Sequence, residues 1–344
     1  MSFWKQLDEA EIHWQPKTGG QYLAGVLVFE LRFLMRSPHS PEVRAGAVAG
    51  IDRLRELIPD QTYKWFWTRE GAKPSKMPRD LPPASQILAD AIAAKDAFNY
   101  LATDCGDPYR DAYRHYLKVR LRDDLRTTPN SVGSFHLRVP LPWVEARGGG
   151  TMIDLFLELA RLLKPCFGSA GLALSAPIHA GGKQMHAAYS AYPFLKRFPG
   201  VDSGEASYVA DEISHFYPKT VGGMTTINWL NAVDGPTLDL CGGDTAARSA
   251  FGMPDFPVYT FDGGIVVQAG PNPQMGDNLI GLPLTHYAHV ARFFKPARML
   301  RTLSVNPAYA PEGSNLYPDR YESAQIEYLN RFDDMESFRK VAPV

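Results

Sequence analysis

A strand-then-helix pattern occurs twice in this chain, and it limits the fold more than any other feature. Leu27, Phe29, Leu31 and Phe33 alternate with Val28, Glu30 and Arg32. A period of two is the mark of a strand with one apolar face, so a half-buried strand is expected over 26–33. Ser37-Pro38-His39-Ser40-Pro41-Glu42 then turns the chain, with Ser40 suited to cap a helix and Pro41 to open it. Val43, Ala47, Ile51, Leu54 and Ile58 recur at helical spacing, and Pro59 ends the run. The pattern returns at Phe135, Leu137, Val139 and Leu141, which alternate with His136, Arg138 and Pro140. Gly148-Gly149-Gly150 reads as a turn and Thr151 as an N-cap. Met152 to Leu163 reads as a helix whose wet stripe is Asp154, Glu158 and Arg161. Each unit needs a partner for its apolar face, so two units sharing one sheet are expected.

The remaining elements fill in around these. Tyr63–Trp67, Phe98–Thr103, His115–Leu121, Gly168–Ala176 and Thr225–Leu230 read as strands. Pro83–Lys95 and Thr285–Phe294 read as helices. Asp262-Gly263-Gly264 marks a hairpin between Val258–Phe261 and Ile265–Gln268. Residues 301–318 read as coil, and Asp319–Phe338 as a terminal helix with Ala324, Tyr328, Phe332 and Met335 as its apolar stripe. The fold class expected is α+β: duplicated strand–helix units on a mainly antiparallel sheet with helices packed on it, plus a loop-rich C-terminal part. The expected organisation is one domain over 1–344, with pseudo-repeat halves at 20–125 and 130–300.

Composition excludes several classes. No apolar run approaches the ~18 residues of a membrane span. The first residues lack the cationic-then-apolar layout of a signal peptide, and Cys105, Cys166 and Cys241 are odd in number and far apart. A reducing, cytoplasmic setting is expected. The formal charge of −1 speaks against generic binding of nucleic acid or membrane.

Catalytic constellations are scarce. Gly148-Gly149-Gly150-Thr151 lacks the ending of a phosphate loop, and Gly242-Gly243-Asp244-Thr245 reads as a tight turn with Asp244 capping the segment Thr245–Ala250. His286 and His289 lie three apart on a helix, and His179 and His186 flank a glycine pair, but no zinc-site spacing joins them. Ser203 sits outside a nucleophile elbow, and Cys166 beside Pro165 reads as structural. Adjacent acids such as Asp211-Glu212 and Asp333-Asp334 read as solvated faces. Trp65 and Trp67 share one side of a strand opposite Phe66, as core packing or as an aromatic anchor for a partner. No catalytic residue, metal or cofactor is assigned.

Several segments carry a resemblance. They are Phe29-Glu30-Leu31-Arg32-Phe33, Gly168-Ser169-Ala170-Gly171-Leu172-Ala173, Tyr192-Pro193-Phe194 and Arg197-Phe198-Pro199-Gly200-Val201-Asp202. Further along come Ile227-Asn228-Trp229-Leu230-Asn231, Leu240-Cys241-Gly242-Gly243, Gln268-Ala269-Gly270 with Met275-Gly276-Asp277, and Tyr287-Ala288-His289-Val290-Ala291 with Pro296-Ala297-Arg298. Their order and spacing over about 20–300 resemble the type VI secretion immunity family whose named members protect against VRR-Nuc effectors. The resemblance implies a non-enzymatic cytoplasmic protein that binds a cognate effector toxin, a DNA-cutting nuclease, and covers its active site or DNA-binding surface. It implies no catalytic residues and no direct contact with nucleic acid. Other readings are a small-molecule enzyme with a cleft between two α/β halves, and a structural or adaptor component of a secretion particle.

A plug for a basic nuclease groove needs an acidic face. Residues 1–197 carry 26 Lys+Arg against 20 Asp+Glu, whereas residues 198–291 carry only Lys219 and Arg248 against ten acids. Those acids are Asp202, Glu205, Asp211, Glu212, Asp234, Asp239, Asp244, Asp255, Asp262 and Asp277. Asp202, Glu205, Asp211, Glu212, Asp234, Asp239 and Asp244, with Trp65 and Trp67, are the expected partner-binding residues. Reversing the charge of Asp211 and Glu212 is expected to slow association. The competing reading is that these acids cap turns and lie on scattered loops.

Overall fold

The computed structural model describes residues 11–14, 22–69, 73–108, 111–122, 131–177, 194–216, 223–299 and 325–333. The strands are β1 (Glu11–Trp14), β2 (Tyr22–Arg36), β3 (Trp65–Trp67), β4 (Ser75–Lys76), β5 (Phe98–Thr103) and β6 (Tyr116–Leu121). They continue as β7 (Val132–Val139), β8 (Phe167–Ser175), β9 (Leu230–Asp234), β10 (Val258–Phe261) and β11 (Gly264–Gln268). The helices are α1 (Pro41–Leu57), α2 (Ala84–Ala93), α3 (Leu141–Glu145), α4 (Gly148–Leu163), α5 (Ala206–Phe216), α6 (Gly235–Asp239), α7 (Gly243–Ala250) and α8 (Thr285–Phe293). Among the described residues the eleven strands join one sheet in the order β10-β11-β9-β8-β2-β7-β6-β5-β3-β4, with β1 paired to the N-terminal part of β2. The strand pairings are antiparallel. The fold is therefore α+β, as expected.

The two strand–helix units meet at the centre. β2 and β7 are neighbours, with Phe33 opposite Phe135 and Leu31 opposite Leu137. Their apolar face receives α1 and α4. Phe33 stacks on Phe156 of α4 at 4.8 Å, and Gly50 of α1 lies against the Phe135 ring. The helices approach closely because Gly46 has no side chain; a Cβ there would stand 2.1 Å from the Leu162 carbonyl oxygen. Ser40 caps α1 by accepting a hydrogen bond from the Val43 amide at 3.3 Å, and Pro41 occupies the first turn.

Four local expectations change. β2 is buried on both faces from Ala24 to Met35, because α5 and the segments around it cover the side that carries Glu30 and Arg32. The glycine turn is confined to Gly148, at φ +79°, while Gly149 and Gly150 already belong to the first turn of α4. Thr151 lies inside the helix and its hydroxyl donates to the Arg147 carbonyl at 2.8 Å instead of capping. Strand pairing over 225–229 is displaced to β9, because the Asn228 and Asn231 side-chain oxygens take the Trp229 and Asn228 amides. α7 is capped by Gly242, and Asp244 sits in its first turn, paired with Arg248. The hairpin β10–β11 forms as expected, with Gly263 at φ +92° in its turn. Of the terminal-helix expectation, 325–329 is helical, with Tyr328 and Phe332 buried; Ala324, Met335 and the coil over 301–318 lie outside the described residues.

Candidate functional site

The second face of the sheet holds a layer of ionisable side chains, built by register. Glu30 stands opposite Arg138 and Arg32 opposite His136 across the β2–β7 ladder, and Lys118 opposite His136 across β6–β7. Alternation puts all of them on one side. Glu30 Oε2 accepts from Arg138 Nε and pairs with His136 Nε2, each at 2.7 Å. Arg138 also donates to the Tyr113 hydroxyl at 2.7 Å and to the Gly204 carbonyl at 2.6 Å. Arg32 reaches Asp202 at 2.6 Å, and Lys118 reaches Glu205 at 3.5 Å. Tyr328 donates to Asp202 at 3.2 Å, which ties the C-terminal segment into the same layer.

Burial alone would raise the Glu30 carboxyl pKa. Interactions with His136, Arg138 and Arg32 more than offset it and hold Glu30 well below the usual carboxylate range. Glu205 behaves alike: burial raises it, and Lys118, His136 and Arg138 bring it well below. Burial pulls the Arg331 guanidinium down, and it bonds to the Pro199 and Tyr328 carbonyls and the Thr226 hydroxyl. These carboxylates are acceptors for fixed cations. Glu205 on Lys118 ties the start of α5 to the sheet, and Asp202, held by Arg32 and Tyr328, ties in the C-terminal segment.

Most of the acids expected on the contact face are held in pairs or buried. Asp202 and Glu212 are buried, at 2 % and 5 % exposure, and Glu205 is nearly so. Asp211 pairs with Arg120 at 2.7 Å and Arg122 at 3.3 Å. Asp234 pairs with Arg36 at 2.9 Å and caps α6 through the Thr237 amide. Asp262 pairs with Lys164, and Asp277 with Arg197 at 2.9 Å. The acidic stretch and the basic first half thus neutralise one another across the fold. Asp239, Asp244, Asp255 and Asp262 remain exposed.

The two tryptophans follow the core-packing reading to different degrees. Trp67 is 7 % exposed and packs with Leu101, Cys105, Tyr113 and Tyr116. Trp65 is half-buried and donates to the Cys105 carbonyl at 3.0 Å. Phe66 faces the main core, as the alternation requires. His289 bonds to the Ala250 carbonyl at 2.9 Å and lies against Phe251 and Phe256. Ser203 is buried. Cys166 is buried, bonds to the Leu34 carbonyl at 3.2 Å, and its thiol is pushed up to about 11 by burial. Asp333 is salt-bridged to Arg298 and Lys295 rather than solvated. His179 and His186 lie outside the described residues.

Two groups escaped the sequence reading. The first is the ionic layer of Glu30, Arg32, His136 and Arg138, whose signal was charge placed inside aromatic-rich strands. The second is Leu279, Ile280 and Leu282, exposed in the loop before α8. Its signal was an aliphatic run between Gly276-Asp277 and Pro283.

These features define a single-sheet α+β protein whose ionisable interior is committed to holding its layers together. Residues 48–332 match the family described as TsiV, type VI immunity for VRR-NUC. The chain belongs to that family of type VI immunity proteins. Its fold is similar to that of a solved structure titled Pseudomonas aeruginosa T6SS protein PA0821. The TM-score is 0.75 at 21 % identity, covering 95 % of this chain and 90 % of that one. No protein of curated function matches. Among the described residues, no helix is long and apolar enough to cross a membrane.

Proposed function

We propose that this protein binds a VRR-Nuc effector nuclease in the cytoplasm of the cell that makes the effector, and blocks it stoichiometrically rather than by catalysis. The family match over 48–332 carries this reading. The bound surface is protein, and DNA cleavage stops because the active site or the DNA groove of the nuclease is covered. A DNA-cutting groove is basic, so an acidic contact surface speeds encounter and fixes orientation. The exposed Asp239 and Asp255 supply that charge; Asp244 and Asp262, also exposed, are paired with Arg248 and Lys164. The buried or ion-paired acids Asp202, Glu205, Asp211, Glu212 and Asp234 hold the fold beneath. Co-expression with the effector nuclease tests the reading. Rescue of growth and co-purification of the pair are expected; toxicity without complex formation overturns it.

A further inference from the structure

The chain between β11 and α8 closes a small hairpin at 277–282. The Leu282 amide donates to the Asp277 carbonyl at 2.9 Å, and the Asp277 amide to the Leu282 carbonyl at 3.2 Å. Its base is fixed from several directions. Arg197 grips the Asp277 carboxylate at 2.9 Å, and the Asn278 amide bonds to the Arg197 carbonyl at 2.8 Å. The Asn278 side chain bonds to the Lys196 carbonyl at 2.7 Å, and the Leu279 amide to Asp277 Oδ1 at 2.9 Å. At the tip, Leu279, Ile280 and Leu282 are 70 %, 73 % and 56 % exposed. Aliphatic side chains displayed on a pinned turn gain nothing for the fold. They mark a surface preorganised for a partner.

The charge of the segment that carries the tip indicates the occupant. From Asp234 to Val290 the chain carries six aspartates and a single basic side chain, Arg248, apart from histidines. Arg248 is paired with Asp244, and the nearby Arg197 with Asp277. Asp255 lies exposed with its carboxylate 3.9 Å from His286, in the first turn of the helix into which the hairpin runs. An exposed apolar tip followed by a helix whose first turn lies beside the exposed Asp255 complements a basic groove with an apolar recess.

We propose that the 277–282 hairpin is the apolar anchor that docks the effector nuclease, with Asp255 steering the approach; this rests on the functional reading above. The test is binding of the purified effector VRR-Nuc domain to the full chain by surface plasmon resonance. The triple variant Leu279→Ser, Ile280→Ser, Leu282→Ser is expected to melt like wild type and to lose about a hundredfold in affinity, mostly through faster dissociation. Ile280→Asp alone is expected to lose more than tenfold, which guards against loop collapse in the triple variant. Asp255→Lys slows association roughly tenfold at low salt, and the difference vanishes at high salt. Ile92→Ser, on α2 beside β5 at the other end of the sheet, serves as an exposed aliphatic control and leaves binding unchanged. Wild-type binding with both tip variants within threefold of it overturns the anchor and leaves the function standing. No binding by wild type overturns both.

Discussion

Replacing Arg138 with methionine removes a buried cation of the ionic layer at nearly constant volume. The guanidinium is 3 % exposed and makes three bonds: to Glu30, to the Tyr113 hydroxyl and to the Gly204 carbonyl. Glu30 keeps His136 at 2.7 Å, but its remaining cation, Arg32, stands 3.9 Å away. Breaking one side of a buried ion pair costs about 3–5 kcal/mol, because the other charge stays buried. A cost of ~4 kcal/mol is a large part of a folding stability of about 5–15 kcal/mol. With an unfolding entropy of about 2.1 cal/mol/K per residue, a chain of this length loses roughly 6 °C in Tm. Differential scanning calorimetry reads the shift, and urea denaturation reads the free energy. Adding Glu30→Gln to the variant removes the stranded charge and recovers about 1–3 kcal/mol. A Tm within about 1 °C of wild type would refute the reasoning, since the ionic layer would then contribute little. So would a double variant no better than the single one.

Three further outcomes rest on the same geometry. Glu30 and Glu205 have folded pKa values below their unfolded value near 4.5, so their contribution is complete above that pH. It is lost as pH falls from 4.5 toward the depressed folded values, and Tm measured from pH 7 to 3 should drop along that limb, less steeply in Glu30→Gln. Gly46→Ala should destabilise by about 1–3 kcal/mol in urea titration although alanine is the better helix former, because its Cβ meets the Leu162 carbonyl oxygen at 2.1 Å. Charge reversal at Asp211 and Glu212 should lower Tm by several degrees. Reversal at Asp239 and Asp255 should leave Tm within about 1 °C and slow association with the nuclease.

The sequence exposed the skeleton clearly. The period-two runs at 27–33, 117–121 and 135–139 are β2, β6 and β7, and Ser40-Pro41 opens α1 where capping chemistry places it. Hidden was the fate of the polar side of those strands. Alternation tells which residues share a face, not whether another layer will cover it. Arg32 finds Asp202, 170 positions along the chain, and Lys118 finds Glu205. No local pattern encodes such a pairing. For the same reason the acidic stretch looked like one surface in sequence, whereas folding spends much of it on the basic strands of the first half. The exposed remainder, Asp239, Asp244, Asp255 and Asp262, could be separated only once burial was known. The aliphatic tip at 279–282 was legible as an apolar run but not as a surface, because exposure depends on how its base is tied to 196–197.

Titrating purified VRR-Nuc effector nuclease with this protein and following DNA cleavage tests the central claim most directly. Cleavage should fall linearly to zero at one equivalent, and the two chains should elute together as a single complex. Full cleavage at a large excess of this protein, with the chains eluting apart, would contradict the account.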